Sequence, residues 1–349
     1  MNIMNKKKHY TMNTTMKHFV AVALVALTTA TAVQARSWRI NNDVTKAPDF
    51  TDLNAAMASE SVADGDTLYL DAGTNFTAEQ NVTKRVTIVG PSYEATLPYG
   101  MATISGKLNL KAADIKVEGV KMTGTTVIQA DYVTIERCKT YAISCSGTCR
   151  YATIRQCYVV KTDANSAIGG FGKTDTKSAY WTVENCIISS GGYYAKCISA
   201  LYSAVIRNNL LLNTDTYYSW NLAELGNADI TNNIIVNTSG VNNCISDIEG
   251  NFINNVVGQN YAAETNYVTG STNTDIIFTG DNESYTLVDD SPAKDYGTDG
   301  SDCGIFGGLY PYVKGGLPQG HPYYTKAAIS SRAKNDKVNV SLQIKMQNE

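Results

Sequence analysis

The sequence predicts an all-β solenoid, short strands wound into stacked coils, and three observations carry that expectation. A six-residue unit recurs through the middle of the chain as Val133-Thr-Ile-Glu-Arg-Cys138, Ala152-Thr-Ile-Arg-Gln-Cys157, Trp181-Thr-Val-Glu-Asn-Cys186 and Ala204-Val-Ile-Arg-Asn-Asn209. It fades into Ile230-Thr-Asn-Asn233 and Phe252-Ile-Asn-Asn255, and earlier copies survive as Val86-Thr-Ile88 and Ile115-Lys-Val117. Its last position falls at 138, 157, 186, 209, 233 and 255, a mean interval of about 23 residues, which is a period of repeat architectures. Each copy is rich in Val, Ile and Thr and too short for a helix. No proline occurs between Pro98 and Pro292, so every strand is free to donate to a ladder.

Equivalent positions of successive coils stack about 4.8 Å apart, so the repeat reads as columns. Val133, Ala152, Trp181 and Ala204 form one inward column, and Ile135, Ile154, Val183, Ile206, Ile230 and Phe252 form the next. Two residues then precede the Cys/Asn position, so the alternation skips and the chain bends. The first bend position holds Glu118, Glu136, Arg155, Glu184 and Arg207; opposite charges on adjacent rungs predict outward ion pairs, not catalytic arginines. The second holds Asn185, Asn208, Asn232 and Asn254, a residue type tolerant of the left-handed conformation. The closing column, Cys138, Cys157, Cys186, Asn209, Asn233 and Asn255, passes from thiols to an amide ladder in which stacked asparagines satisfy one another.

The N-terminus reads as an export signal over 1–35. Lys17 and His18 precede an apolar run from Phe19 to Leu27, and Val33-Gln34-Ala35 fits a cleavage site, with Met16 as an alternative start. The run is too short to span a bilayer. Of 349 residues with formal charge -3, cleavage after Ala35 leaves 25 basic and 32 acidic groups, a charge of -7, and one histidine, His321. A histidine triad or His-rich metal site is thereby excluded by counting, and a nucleic-acid partner by charge. The expected location is secreted, periplasmic or cell-surface.

Three stretches resemble the pectate-lyase-like superfamily of secreted bacterial proteins. The first is the opening, Phe50-Thr-Asp-Leu-Asn-Ala-Ala56, Gly65-Asp-Thr-Leu-Tyr-Leu70 and Val82-Thr-Lys-Arg-Val-Thr-Ile-Val-Gly90; the second is the Asn-Asn repeat; the third is the close, Ser291-Pro-Ala293 and Asp302-Cys-Gly-Ile-Phe-Gly-Gly308. The resemblance implies a right-handed parallel β-helix of nine or ten coils over 49–308, after a leader at 36–48, with a short amphipathic helix plugging the N-terminal end. It leaves function open, because this scaffold hosts lyases, hydrolases, esterases and adhesins. Residues 309–349 begin with a Pro- and Gly-rich crossing segment. They end in alternating Val338, Val340, Leu342, Ile344 and Met346, a half-buried strand expected to pair with Ala327 to Ala333 and to offer an edge for self-association.

The longest interval, Cys157 to Cys186, contains an enlarged loop with Lys161, Asp163, Lys173, Asp175 and Lys177, followed by Tyr193, Tyr194, Lys196, Asp215, Tyr217, Tyr218 and Trp220. Basic groups beside aromatic faces suit sugars; the competing reading is a solvated loop. The leading expectation is a carbohydrate-interacting protein without strong catalysis, contacting a polysaccharide or cell-surface glycan. No catalytic residue is assigned. One alternative is a polysaccharide lyase on uronate polymers, with a lysine base and Ca²⁺; another is a structural or adhesive surface protein. A polygalacturonase-like hydrolase would use Asn213-Thr-Asp215, Asn273-Thr-Asp275 and Asp289-Asp290, but the Gly-His-Gly element of that family is missing. Among eight cysteines, Cys138, Cys157 and Cys186 are expected as core thiols and Cys145 with Cys149 as the disulfide candidate. No metal site is expected from them, since Cys-x3-Cys is weak ligand spacing.

Overall fold

The computed structural model describes residues 35–95, 100–214, 219–237, 244–258, 267–268, 273–277, 284–317, 322–329 and 340–346. The expected signal, save Ala35, and His321 lie outside them, as do Asp215, Tyr217 and Tyr218. The chain winds into a parallel β-helix with three stacks of strands. The first stack holds ten rungs among the described residues, from Ser37–Ile40 and Thr67–Leu70 through Thr134–Glu136, Thr153–Arg155 and Thr182–Glu184 to the ends of Trp220–Thr231 and Ile245–Ile253. The second runs from Asn75–Phe76 through Tyr158–Lys161, Ile187–Ser190 and Leu210–Asn213 to Tyr267–Val268. The third runs from Gln80–Val82 through Ser166–Gly169 and Lys196–Tyr202 to the starts of Trp220–Thr231 and Ile245–Ile253.

The repeat unit is the first stack, and its columns fall as read. Val133, Ala152, Trp181 and Ala204 are buried, as are Ile135, Ile154, Val183, Ile206 and Ile230, with Phe252 packed at the margin. Each such side chain contributes about 1.5–3 kcal/mol of burial when large and apolar. The outward charges pair across rungs: Glu184 receives Arg155 Nε at 2.6 Å on one oxygen and Arg207 Nη2 at 2.7 Å on the other. At the second bend position Asn185, Asn208, Asn232 and Asn254 all have φ between 50° and 59°, as do Gln156 and Arg137, one and two coils before Asn185, at 51° and 52°. At the opposite corner Tyr132, Tyr151 and Tyr180 also sit at positive φ, 62°, 59° and 62°. Their exposed rings stack at 4.8 and 5.0 Å between centroids.

Helix Leu53–Ala58 starts where Asp52 accepts from the Ala55 N–H at 2.7 Å, an N-cap. It buries Leu53, Ala56 and Met57, and the Leu53 N–H donates to Gln80 Oε1 at 3.1 Å, docking it on strand Gln80–Val82. The first coil is anchored at Asp66, whose buried carboxylate accepts from Trp38 Nε1 and the Arg36 N–H at 2.7 Å and from the Ala63 N–H at 2.9 Å. Burial opposes its charge, but these bonds outweigh it and hold the carboxyl below the usual range.

The second stack is apolar on both faces, which explains its continuous runs such as Ile187-Ile188 and Leu210-Leu211-Leu212. Val159, Ile188, Leu211, Ile235 and Val257 face the interior. The in-register outer column of Tyr158, Ile187, Leu210, Ile234 and Val256 is covered by Ala293, Cys303, Ile305 and Tyr312. This covering strap returns antiparallel to the stacking direction. Asn254 Nδ2 donates to the Tyr296 carbonyl at 2.8 Å, and Asn232 exchanges bonds with Thr298. Further along, Asn185 donates to the Ile305 and Gly307 carbonyls at 3.1 and 2.7 Å, Gln156 to Pro311, and Arg137 Nη1 to the Leu317 carbonyl at 3.3 Å. The bend residues thus turn the chain and hold the strap. Gly307 is required by close approach, since a Cβ there would lie 1.8 Å from the Asp302 carbonyl oxygen.

The C-terminal pair is antiparallel, with Pro322–Ile329 against Val340–Met346 and Ile329 opposite Val340; of the expected partner Ala327 to Ala333, residues 327–329 lie in this pair, which begins earlier, at Pro322, and 330–333 lie outside the described residues. The sequence pattern located the second strand through its alternation, while Pro322-Tyr-Tyr has none to mark the first. Cys145 and Cys149 form the disulfide, and the other six thiols are free and buried. No described helix is long and apolar enough to cross a membrane.

Candidate functional site

A groove of about 480 Å³ lies on the third stack, lined by Asn165, Ser166, Tyr194, Lys196, Trp220, Ala223, Glu224, Ser246 and Asp247. Parallel register builds it. Ser166, Lys196 and Trp220 are successive rungs of one column. Next to them Ser199, Ala223 and Ser246 align, as do Leu201, Leu225 and Ile248, so Ala200, Glu224 and Asp247 are in register between them. These three share positive φ, 59°, 54° and 53°, and the kink keeps Leu222 and Leu225 inward while Glu224 stands outward. Non-glycine residues at such angles carry strain that clusters at functional sites.

The aromatic floor is Tyr194 and Trp220, with ring centroids 6.3 Å apart and planes 25° from parallel. Tyr193 packs edge-on against Tyr194 at 4.3 Å and is 56% exposed. Lys196 Nζ sits 5.7 Å from the Trp220 ring centre and pairs with Glu224 Oε1 at 2.7 Å. At the far rim the enlarged loop reaches over: Gly170 and Gly172 N–H donate to the Ser199 and Ala200 carbonyls at 3.2 and 3.0 Å. The carbonyl of Lys173 then lies where a Cβ on Gly226 would be, 1.7 Å away. Lys173 Nζ pairs with Asp247 at 2.6 Å and Glu249 at 2.9 Å. Its hydrogen bonds to Asp247 and then Glu249 raise its pKa above the ordinary lysine value.

Of the residues singled out in the sequence, Tyr194, Lys196 and Trp220 line the groove, and Tyr193 and Lys173 stand at its rim. Lys161 and Asp163 do not line it; they pair with each other, and Lys161 Nζ lies 4.6 Å from the Tyr141 ring centre. The bond from Lys161, then that from Tyr141, lowers the Asp163 pKa. Lys177 is an exposed loop residue 4.0 Å from Asp175 and 5.3 Å from the Phe171 ring centre. Asp215, Tyr217 and Tyr218 lie outside the described residues.

Glu224, Asp247 and Glu249 were missed. Their signal is a second repeat, Cys197-Ile-Ser-Ala-Leu201, Asn221-Leu-Ala-Glu-Leu225 and Cys244-Ile-Ser-Asp-Ile248, spaced like the first but overshadowed by its stronger Asn and Cys column. Among the described residues no group of three or more His, Cys, Asp or Glu is placed to hold a metal ion. No protein-family model matches the chain, and no curated protein matches it either.

Proposed function

We propose that this chain is an exported β-helix protein of the pectate-lyase-like kind that binds a neutral polysaccharide along the third stack. The observation that carries the reading is the Tyr194–Trp220 platform beside the Lys196–Glu224 pair in an open groove. Two near-parallel aromatic rings offer apolar faces to the C–H face of a sugar, while the charged pair offers donors and acceptors to its hydroxyls. The groove residues and rim include Glu224, Asp247 and Glu249 against Lys196 and Lys173, an acidic balance that disfavours uronate carboxylates. A lyase base needs a lysine with lowered pKa, and Lys173 departs in the opposite direction, so the lyase alternative fits less well. Export is supported by the signal pattern in residues 1–35 and by the Cys145–Cys149 disulfide, a bond of oxidising compartments.

A glycan array of the protein beside its Tyr194→Ala and Trp220→Ala variants tests this. Retention of neutral plant or microbial polysaccharides by the parent chain and their loss in both variants is expected. Equal retention by all three rejects the groove.

A second reading, self-association through the C-terminal pair, is favoured by Val340 and Leu342, which are 57% and 49% exposed on one strand. Truncation after Gly316 would then lower the sedimentation mass without changing glycan retention.

A further inference from the structure

The corner that leads into the first stack turns through positive φ on one coil after another. In register, two residues ahead of successive first-stack strands, stand Asp114, Tyr132, Tyr151, Tyr180, Ser203 and Asn227, with φ between 49° and 62°. Asp and Asn tolerate the left-handed region and Ser crowds it little, whereas a bulky aromatic is an outlier there. Three consecutive coils nonetheless carry tyrosine. Stacking of the rings offsets part of the strain, and strain retained at adjacent exposed positions points to a use for the side chains.

The three tyrosines form a close, fixed and accessible row. Their backbone N–H groups donate to the carbonyls of Arg150, Ala179 and Tyr202 at 2.9, 3.0 and 3.0 Å, which pins each to the next coil. The ring planes of Tyr132 and Tyr151 lie 6° from parallel and those of Tyr151 and Tyr180 11°, so Tyr151 has a tyrosine on either side. The residues are 41–52% exposed, and among the described residues none of the three hydroxyls has a hydrogen-bond partner. No bond therefore fixes the phenols, and rotation about Cβ–Cγ, a broad torsion in tyrosine, swings the edges of neighbouring rings toward one another.

We propose that this row is a site of oxidative coupling, at which a haem peroxidase with hydrogen peroxide joins Tyr151 to Tyr132 or Tyr180 within one chain. Each phenol of the pair loses one electron and one proton; the peroxide takes up both electrons and both protons and leaves as two waters. The two phenoxyl radicals then form one carbon–carbon bond at positions ortho to oxygen. The hydrogen on each joined carbon leaves as a proton and each oxygen regains one, which restores both phenols. Rings held on adjacent coils meet far more often than rings on separate molecules. The product ties neighbouring coils covalently, and a cross-link that closes a loop of chain stabilises by restricting the unfolded state.

Treatment of the whole protein in dilute solution with a plant haem peroxidase and hydrogen peroxide, followed by trypsin and mass spectrometry, tests the site. The three tyrosines fall on separate tryptic peptides, 122–137, 151–155 and 178–196, so a link between coils is read as a joined pair. The expected product is a monomer lighter by two hydrogens, with dityrosine emission and with peptide 151–155 joined to one of the others at Tyr132 or Tyr180. Fragmentation separates Tyr180 from Tyr193 and Tyr194, which share its peptide. The product should melt several degrees above the untreated chain. Tyr151→Phe keeps the stacked ring, removes the shared partner of both couplings and should lose most of the emission. Tyr132→Phe and Tyr180→Phe each keep one coupling and should retain part of it. Linked oligomers in place of the monomer, joined peptides that omit Tyr151, or undiminished emission from Tyr151→Phe overturn the proposal.

Discussion

The backbone N–H of Cys186 donates to Oδ1 of Asn209 at 3.0 Å, and at this bond a column of thiols becomes a column of amides. On the asparagine side, Asn233 Oδ1 accepts from the N–H and Nδ2 of Asn209, at 2.9 and 3.0 Å, and Asn255 repeats the arrangement for Asn233. The amides also donate back one rung, Asn209 to the Val183 carbonyl and Asn233 to Ile206, both at 2.8 Å. The thiols do the same more weakly: Cys186 Sγ donates to the Ile154 carbonyl at 3.5 Å, and the Cys157 N–H has sulfur as acceptor at 3.4 Å. Replacing Asn233 by Ala leaves buried donors and acceptors unpaired on two rungs and should cost about 2–4 kcal/mol in urea unfolding. Cys157→Ala loses weaker bonds and should cost clearly less; equal losses would deny the amide ladder its special role.

All six free thiols are buried. Burial pushes Cys197 and Cys303 up to about 12 and Cys244 up to about 11, which removes the reactive thiolate at neutral pH. Native protein should therefore give no reaction with Ellman's reagent over the time in which unfolded protein gives six thiols. Fast reaction of even one in the native state would contradict this packing.

Asp66 sets an acid limit on the first coil. Its folded pKa is lowered from an unfolded value of about 3.9, so the stability it contributes is full above that value and is lost as pH falls through the folded pKa. Asp66→Asn should destabilise the protein at pH 7 and narrow its difference from the parent below about pH 4, as read from melting temperatures across pH. A difference that stays constant with pH would mean the carboxylate charge is not what holds Trp38 and the 36–63 backbone.

The strap should loosen locally when its pins are removed. Asn185→Ala deletes the donor to the Ile305 and Gly307 carbonyls and should cost about 1–3 kcal/mol. Amide exchange should rise around 303–312 and along the outer face of Ile187 and Leu210. A loss of stability with no such localised exchange would show that the strap is not held there.

Much of this architecture was legible because a solenoid converts sequence period into spatial columns. Ile135, Ile154 and Val183 could be stacked from their spacing alone, and the left-handed bend at Asn185, Asn208, Asn232 and Asn254 followed from residue type. What escaped was contact between segments distant in the chain. Nothing near Asn185 announces Ile305 120 residues later, so these asparagines were read only as turn formers. Within the site, Tyr194, Lys196 and Trp220 stood out as aromatic and basic residues in adjacent coils. Glu224 and Asp247 were hidden because their juxtaposition depends on the register of the third stack, where the repeat Leu-Ala-Glu-Leu and Ile-Ser-Asp-Ile is short and ordinary. Lys161 and Lys177 were grouped with the groove because they share its loop, yet loop membership does not fix which way a long side chain turns.

The most direct test of carbohydrate recognition is a fluorescence titration of the parent chain with oligosaccharides of whichever neutral glycan it retains. Trp220 lines the groove, whereas Trp181 is fully buried and Trp38 is tied to Asp66, so the signal reports the platform. A saturable change in tryptophan emission is expected, with the signal lost but binding kept within a few-fold in Trp220→Phe, and binding lost in Trp220→Ala. Binding by Trp220→Ala with undiminished affinity would contradict the account.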